Sequence, residues 1–373
     1  MAPPLANLRV LDFSRILAGP FATMQLADLG ATVTKVERPV TGDDTRTWKP
    51  PHDDHGQATY FQAVNRNKNT IVLDLTDPSD QARAREMATA ADIVVENFRP
   101  GLMADFGLDY HQLQPENPGL IYCSITGFGH GAGAALPGYD LLIQALGGLM
   151  SITGARDGEP QKVGVALVDV LAGLFATSGI LAALHHRTTT GEGQRVDIDL
   201  LTCLLAGLVN QASAYTSAGV VSTRMGNQHP SIAPYELLAC ADGELVLAVG
   251  NDRQFASLCK VLGEPGLAAA QQFSTNSSRV RNRQQLRTEL ERLLTARTAA
   301  EWTDDLTAVR VPAGVVNDIA GAFALAEKLG LEPIVELPRD DGTTVSLCRN
   351  PINLSLTPPV YRSAPPDLPN TEL

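Results

Sequence analysis

The chain has 373 residues, of which 44% are hydrophobic and 19% charged, and its formal net charge is −12. This composition is typical of a folded protein with two or three domains and excludes an intrinsically disordered chain. The acidic balance, 29 Lys and Arg against 41 Asp and Glu, disfavours a nucleic-acid partner, because phosphate backbones are bound by basic surfaces. A small anionic ligand remains compatible with it, since such a ligand needs only a local basic pocket.

The cysteines and the first residues of the chain indicate in which cellular compartment we expect the protein. Five widely separated cysteines form no CxxC pair, so we expect reduced thiols and neither a disulfide framework nor a zinc site. The first residues do not pair a basic segment with an apolar one, so a secretory signal is not expected. Both observations predict a cytoplasmic protein.

The first half of the chain alternates β-rich and helical patterns. Strands are predicted at LRVLDF, ATVTKVER, NTIVLDL, IVVENF and GLIYCSIT, with helices at FATMQLADLG and DPSDQARAREMATAAD. This alternation predicts an α/β fold with a parallel, doubly wound sheet. Ligands of such sheets bind outside the carboxyl ends of the strands. The loops after Phe13, Arg38, Phe98 and Thr126 are therefore candidate site loops.

The next elements lead into a second domain. A helix is predicted over Tyr139 to Ile152 and a longer one from about Val170 to Arg187, before the strand RVDIDL. The pattern then changes, and pieces such as ELVLAVG and RNRQQLRTELERLLTA predict a smaller α+β domain. We divide the chain into a large domain (1–200), a linker (201–224), the small domain (225–325) and a C-terminal segment (326–373) that returns to the large domain.

Asp169 is the only charge in the apolar run from Val163 to Leu184. By length this run could cross a membrane, but its Ala and Gly content and the lack of a second such run favour a buried helix. The small residues Ala172, Gly173 and Ala176 leave room beside the carboxylate. One interpretation of Asp169 is a partly desolvated nucleophile or base. The other is a helix cap, with small residues serving close packing.

Two other motifs carry weaker signals. The loop GFGHGAG follows a predicted strand and could cradle phosphates, serve as an active-site loop or form a plain turn, but it does not complete GxGxxG. HDDH has a possible metal-ligand spacing without a third partner, so a solvated loop is favoured and no metal site is predicted. The chain contains neither GxSxG nor a P-loop, which disfavours hydrolases and kinases.

Basic residues concentrate in one stretch of this acidic chain. They are Lys35, Arg38, Arg46, Lys49, Arg66 and Lys68. Such a cluster could hold phosphates or a carboxylate. Ordinary surface charges are an equal alternative.

Taken together, these segments resemble the family III CoA-transferases. The matching segments are VLDFSRILAGPFATMQLADLGATVTKVERP, GDDTRTW, NRNKNTIVLDL, VVENFRPG, IYCSITGFG, PGYDLLIQALGGLMSITG, VALVDVLAG and TGEGQRVDIDLL. A weaker match, GNQHPSIAPY, leads into the small domain. The resemblance implies an enzyme that moves coenzyme A (CoA) from an acyl-CoA to a small carboxylic acid, and it favours Asp169 as the nucleophile.

The resemblance also implies partners and contacts. It implies an interlocked homodimer with a Rossmann-like large domain in each chain, and CoA as substrate with no permanently bound cofactor or metal. Charge and composition, as argued above, predict neither a nucleic-acid nor a membrane partner. The family's CoA and active-site contacts fall on Ile16, Leu17, Ala18, Arg38, Asn97, Phe98 and Tyr139. The chain departs from formyl-CoA transferase where basic residues lie near the CoA phosphates, since Thr76, Asp105 and Pro137 occupy those positions. Arg66, Lys68 and Arg99 are candidate substitutes, and the family's glycine-rich flap is represented only by GNQHP.

The implied mechanism passes through an anhydride of Asp169 and an aspartyl-CoA thioester. The motifs GDDTRTW, NRNK and YCSITGFG most resemble the branch that uses dicarboxylates, such as succinate–hydroxymethylglutarate CoA-transferases. The second carboxylate of such a substrate requires a basic partner. Arg46 is the leading candidate and Arg15 the next, although Arg46 could instead bind a CoA phosphate or tie its loop to Asp43 or Asp44.

Two alternatives are weighed against CoA transfer. An acyl-CoA racemase of the same family has histidine at the position of Tyr139, and tyrosine, with a pKa of about 10, is a poor base at neutral pH. A non-catalytic CoA- or nucleotide-binding protein would leave Asp169 dispensable, and no nicotinamide-binding fingerprint is present to favour it.

Overall fold

The computed structural model describes residues 1–369, which divide into two compact units. The large unit comprises Met1–Leu149, Lys162–Val220 and the described residues from Glu332 onward. The small unit comprises Met150–Gln161 and Val221–Leu331. Each unit has its own hydrophobic core.

A six-stranded parallel sheet forms the centre of the large unit. Its strands are β1 (Arg9–Asp12), β2 (Thr32–Glu37), β3 (Lys68–Val72), β4 (Ile93–Glu96), β5 (Ile121–Thr126) and β6 (Arg195–Asp199). Their order in the sheet is β3-β2-β1-β4-β5-β6, with parallel pairing throughout. The predicted doubly wound α/β class is confirmed.

The helices up to residue 218 follow the strands in alternation. They are α1 (Ala18–Asp28), α2 (Thr59–Gln62), α3 (Pro78–Ala90), α4 (Leu102–Asp105), α5 (Tyr110–Leu113), α6 (Asp140–Leu146), α7 (Leu149–Ile152), α8 (Leu167–Thr190), α9 (Leu200–Gly207) and α10 (Val209–Ala218), with a 3-10 turn at Asp44–Thr47. The single helix predicted over 139–152 is wrong, because α6 and α7 are separate helices. Gly148, between them, has φ +86°, a left-handed conformation that favours glycine and ends a helix.

Burial of the central strands fixes where ligands can bind. All residues of β4 and β5 are buried, as expected for strands covered by helices on both faces. Because β2 and β4 flank β1, the chain winds away from β1 in both directions. Loops diverge at such a switch point and leave a crevice at the carboxyl ends of the strands.

Helix α8 combines a core face with an exposed face. Its buried residues are Val168, Ala172, Gly173, Ala176, Thr177, Ile180 and Ala183. A Cβ on Gly173 would lie 2.8 Å from the carbonyl oxygen of Ala18, so glycine here permits close contact between α8 and α1. Among residues 1–369, α8 is the one helix long and apolar enough to span a membrane by length and composition, properties that the core helix of a soluble protein shares.

The small unit has an antiparallel three-stranded sheet with helices. Its strands are β7 (Tyr235–Cys240), β8 (Gly243–Ala248) and β9 (Ala313–Val315), and its helices are α11 (Asp252–Val261), α12 (Gly266–Ala269), α13 (Asn276–Arg281), α14 (Arg283–Leu294), α15 (Ala299–Ala308) and α16 (Ile319–Lys328). The side chain of Arg279 is fully buried and is satisfied by the carbonyl oxygens of Ala233 and Phe273 and by Asp252. This buried cation connects α13 to the start of α11 and to the segment before β7.

The C-terminal segment belongs to the large unit. Strands β10 (Ile334–Pro338) and β11 (Thr344–Cys348) form a hairpin. After it, the buried carboxamide of Asn350 donates hydrogen bonds to Gln25 and Asp28 of α1. These contacts attach the end of the chain to the helix that follows β1.

Candidate active site

Two cavities open at the carboxyl ends of the strands in the large unit. The Asp169 cavity, about 670 Å³, is lined by the loop after β1 (Arg15, Ile16, Leu17, Ala18), the loop after β4 (Asn97, Phe98, Arg99, Pro100), the end of β5 and the loop after it (Ile125, Thr126, Gly127, Ala134, Ala135, Leu136, Pro137, Gly138, Tyr139), Asp169 and Leu200. The Arg38 cavity, about 340 Å³, is lined by Phe13, Arg15, Lys35, Val36, Glu37, Arg38, Gly42, Asp43, Leu73, Asp74, Leu75, Thr76, Phe98, Leu102 and Phe106. Arg15 and Phe98 line both cavities, which are therefore adjacent.

Asp169 lies in the first turn of α8 without a structural partner. The cap position of the helix is Ala166, and no side chain of the cap residue bonds the helix end. Within the described residues the Asp169 carboxylate takes part in no hydrogen bond or ion pair, so the capping interpretation does not hold in this geometry. Its side chain instead lines the cavity.

Two opposing effects set the protonation of Asp169. A position in the first turn of a helix favours a carboxylate by about 0.3–1 kcal/mol. Burial disfavours the charge and the neighbouring charge of Asp140 adds to this effect, which together raise the pKa of Asp169 to about 7. An unpaired carboxylate that titrates near neutrality is typical of a group used in chemistry.

Asp140 caps α8 in place of Asp169. Its Oδ1 accepts a hydrogen bond from the Val168 N–H at 2.8 Å, and its Oδ2 accepts one from Gln144 Nε2 at 2.6 Å. This role was not predicted from the sequence. Asp140 is the first residue of α6, and no local pattern indicates that its side chain caps a different helix.

The loop after β1 is held in a strained conformation against the cavity. Ile16 has φ +71°, which for a β-branched residue costs about 1–3 kcal/mol. The Asn97 carboxamide accepts a hydrogen bond from the Arg15 N–H at 2.8 Å and donates one to the Arg15 carbonyl at 2.7 Å. Asn97 thus uses both ends of its amide to hold the loop, and its contribution to the cavity is to position that backbone.

The first turn of α1 faces the same cavity. The helix begins at Ala18, its cap residue is Leu17, and no side chain of the cap residue bonds its amides. Both residues line the Asp169 cavity. The free N–H groups of a helix start stabilise negative charge on a ligand.

Three arginines provide positive charge at the cavities. The side chain of Arg15 lies over the Phe98 ring at 5.1 Å and makes one hydrogen bond, to Asp44 at 3.3 Å, so most donors of its guanidinium are free. Arg38 bonds Thr41 and Asp44 and has a side chain 46% exposed. Arg99 is 73% exposed and lies 3.9 Å from Asp105.

Three other basic residues singled out by the sequence are occupied elsewhere. Arg46 donates to Glu37 at 2.8 and 2.7 Å and to the Pro366 carbonyl, and it is not among the residues that line either cavity. Arg66 and Lys68 are buried and paired with Asp28 and Asp12. The expectation that these two substitute at the CoA phosphates needs correction, because neither is accessible to a ligand.

The structure also shows what the glycine-rich loop and the HDDH motif contact. The Nε2 atom of His130, in GFGHGAG, lies 2.7 Å from Arg195 Nη2 and 3.0 Å from the Asp197 carboxylate, which anchors the loop to β6. In HDDH, Asp53 pairs with Arg339 of the C-terminal segment. The second motif thus connects two parts of the large unit.

Known proteins are similar to this chain over nearly its whole length. The family model described as CoA-transferase family III matches residues 5–371. A succinate–glutarate CoA-transferase of Agrobacterium fabrum is 44% identical over 98% of this chain and 93% of that protein. A succinyl-CoA:mesaconate CoA-transferase of Haloarcula marismortui is 40% identical over 95% and 91%. The crystal structure of a CAIB/BAIF family protein from Brucella suis matches with a TM-score of 0.87 and 43% identity, over 99% of this chain and 97% of that one.

Proposed function

The chain belongs to CoA-transferase family III, and we propose that it transfers CoA from succinyl-CoA to a small dicarboxylic acid through covalent intermediates on Asp169. The names of the two relatives support the substrate class, since both include succinate or its CoA ester and a second dicarboxylic acid. The observation that carries the chemistry is an unpartnered, half-buried Asp169 carboxylate facing a large cavity.

The proposed reaction exchanges activated acyl groups of similar energy. A carboxylate oxygen of Asp169 attacks the thioester carbonyl, and the tetrahedral adduct expels CoA thiolate to leave a mixed anhydride. The thiolate then attacks the Asp169 carbonyl carbon and releases the donor acid, which leaves an aspartyl-CoA thioester. The acceptor carboxylate repeats both steps in reverse and regenerates free Asp169. Neither ATP nor a change of oxidation state is required.

The groups around Asp169 suit each step of this reaction. The amides at the start of α1 are donors for the oxyanion of a tetrahedral adduct, because they line the same cavity and no side chain of the cap residue occupies them. The Arg38 cavity combines leucine and phenylalanine side chains, which suit an adenine ring, with Arg38, which suits a phosphate. Arg15, shared by the two cavities, lies where a CoA molecule spanning both would pass.

Replacement of the proposed nucleophile tests the mechanism. Asp169→Asn keeps the size of the side chain and removes its nucleophilicity, and we expect a loss of CoA transfer of at least about 1,000-fold. Wild-type protein incubated with succinyl-CoA and hydroxylamine is expected to carry a hydroxamate on the peptide containing Asp169. Asp157→Asn, an exposed aspartate of the small unit, is the matched control. Full transfer by Asp169→Asn would exclude the covalent mechanism.

We propose Arg15 as the cation for the second carboxylate of the dicarboxylic substrate. The free donors of Arg15 and its place in the Asp169 cavity support this assignment, whereas the donors of Arg46 are taken by Glu37 and Pro366. A charged hydrogen bond contributes about 1.5–3 kcal/mol, so Arg15→Ala is expected to raise KM for dicarboxylates about 10- to 100-fold.

An acceptor screen separates this role from CoA binding. Glutarate, mesaconate, oxalate and the monocarboxylate butyrate are compared with succinyl-CoA as donor, in wild type, Arg15→Ala and Arg46→Ala. We expect Arg15→Ala to weaken dicarboxylates selectively and Arg46→Ala to lower stability without changing the preference. An equal loss for butyrate and glutarate would assign Arg15 to CoA, and preference of the wild type for butyrate would contradict the dicarboxylate proposal.

We further propose a homodimer, as the family resemblance implies. The exposed face of α8 and the helices after it carry large apolar residues, including Leu174, Phe175, Leu205 and Tyr215, which a partner surface would cover. Light scattering at micromolar concentration is expected to give the mass of two chains, and a stable monomer would contradict the proposal.

We also propose a cytoplasmic location, because all five cysteines are free and four are buried. Recovery in the membrane or secreted fraction would contradict it.

A further inference from the structure

The loop from Ser14 to Ile16 is held by side chains that come from distant parts of the chain. Lys35 of β2 donates from Nζ to the Ser14 carbonyl at 2.7 Å. The same ammonium group pairs with the Asp43 carboxylate at 2.9 Å, and both side chains are fully buried. Asp43 Oδ2 in turn accepts the Ile16 N–H at 3.3 Å.

Ile16 requires such support because of its backbone conformation. At φ +71° an isoleucine is outside the regions that β-branched residues adopt, so the conformation persists only where other contacts impose it. Asn97 fixes the preceding peptide from the other side. The contacts from Lys35 and Asp43 act directly on the carbonyl before Arg15 and on the amide of Ile16.

The charge state of the pair suits a permanent support. Burial alone would raise the pKa of Asp43, but the ammonium group of Lys35 and the hydrogen bonds from Thr45 outweigh it and lower that pKa to about 2. The pKa of Lys35 is raised, because its three carboxylate neighbours, Asp43, Asp12 and Glu37, outweigh the opposing effect of burial. Both shifts favour the ionised form of the pair at neutral pH.

We infer that Lys35 and Asp43 are positioning residues that hold the strained Ile16 backbone, and through it the start of α1, in register with Asp169. The inference rests on the proposed function, since it assigns these residues to the same cavity. Leu17 and Ala18 follow Ile16 directly and line the Asp169 cavity. A change of φ at Ile16 would swing these two amides away from the reacting carbonyl.

An alternative role needs to be separated from this one. Lys35 and Asp43 also form part of the floor of the Arg38 cavity. If they served only that cavity, their loss would weaken CoA binding and leave turnover of bound substrate unchanged. If they position the α1 amides, their loss lowers the turnover of bound substrate and leaves CoA binding nearly unchanged, because those amides act on the transition state.

Asp43→Asn tests the inference against a matched buried pair. Asp28→Asn is the control, because Asp28 is likewise fully buried, pairs with Arg66 and lies at the far end of α1 from the cavity. At a temperature well below unfolding, we expect Asp43→Asn to lower kcat about 10- to 100-fold with less than about a threefold change in CoA affinity. Asp28→Asn is expected to lower stability and leave kcat within about twofold. A loss confined to CoA affinity, or equal kcat losses in both variants, would overturn the inference.

A substitution at Ile16 reports on the strain itself. Glycine adopts positive φ without penalty, so the kcat effect of Asp43→Asn is expected to be at least about fivefold smaller in an Ile16→Gly background than in the wild-type background. Equal effects in the two backgrounds would contradict the role of strain. If Asp43→Asn does not fold, Ile16→Pro perturbs the loop from the cavity side while leaving the buried pair intact. Proline cannot adopt φ +71°, so unchanged kcat in that variant would also overturn the inference.

Hydrogen exchange distinguishes failure of this inference from failure of the proposed function. Amides of residues 14–19 are expected to exchange faster in Asp43→Asn than in Asp28→Asn, whatever reaction the protein catalyses. If the wild type shows no CoA transfer but the exchange difference is present, the proposed function is wrong and the support of the loop by Asp43 stands. If the wild type is active but exchange is unchanged in Asp43→Asn, the proposed function stands and the inference is wrong.

Discussion

Replacement of Asp169 by asparagine is expected to stabilise the protein while it abolishes activity. Asp169 has no hydrogen-bond partner within the described chain, and its pKa is raised from 3.8 to about 7 by burial and by the charge of Asp140. The ionised side chain is therefore less favourable in the folded than in the unfolded state. Asparagine has nearly the same volume and carries no charge, so it removes this penalty.

The size and pH dependence of the effect follow from linkage. Between about pH 4 and pH 7 the folded protein keeps a proton on Asp169 that the unfolded chain has lost, so the stability of the wild type falls as pH rises through this window. The difference between 3.8 and about 7 corresponds to about 4 kcal/mol. Solvent in the open cavity screens the charge, so we expect the measured gain in stability of Asp169→Asn to be about 1–2 kcal/mol above pH 7.

Equilibrium unfolding in urea at about pH 5 and about pH 8 measures the difference. We expect the gain in Asp169→Asn to be near its maximum at the higher pH and about 40% of that maximum at the lower one. The exposed control Asp157→Asn is expected to change stability by less than about 0.5 kcal/mol at both. Destabilisation of Asp169→Asn, or a gain independent of pH, would refute the account of Asp169 as an unpaired, desolvated carboxylate.

Two further predictions concern the same region. In a pH–rate profile, the kcat/KM of transfer is expected to fall below about pH 7 as Asp169 is protonated. Asp140→Asn is expected to move this fall to lower pH, because it removes a charge that raises the pKa of Asp169. A fall at the same pH in wild type and variant would contradict this. Gly173→Ala places a methyl group 2.8 Å from the Ala18 carbonyl oxygen and is expected to lower the stability measured by thermal unfolding by about 1–3 kcal/mol. The control Gly131→Ala places its methyl group in open space and is expected to change stability little. Equal effects would show that α1 and α8 do not pack as closely as described.

Much of the fold followed from local patterns. Alternating β-rich and helical segments predicted the parallel sheet, and strand ends predicted which loops line the cavities. The helix boundary at Gly148 was missed, because the apolar helical period continues through Gly147 and Gly148, and the left-handed backbone of Gly148 is visible only in three dimensions. The start of α8 lies before the predicted Val170, since Asp140 caps it from another element.

The candidate site was predicted in part. Asp169 and the loops after β1, β4 and β5 do meet at one cavity, as expected for residues at the carboxyl ends of neighbouring strands. The roles of Asn97 and Asp140 could not be predicted, because each depends on which distant backbone group its side chain reaches. Arg46 was expected to contact substrate, and its bond to Glu37 depends on a loop that folds back over β2.

The sequence by itself determined the layer architecture, the family and the position of a lone carboxylate in an apolar helix. These features depend on periodicity and on residue order, which the chain carries locally. The tertiary structure alone decided which charges are available to a ligand. Lys35, Arg66 and Lys68 look like a phosphate-binding cluster or surface charges, yet all three are buried, and Lys68 is paired with Asp12 across 56 residues. A buried charge must find its counter-charge, and that partner is set by strand order and not by proximity in sequence.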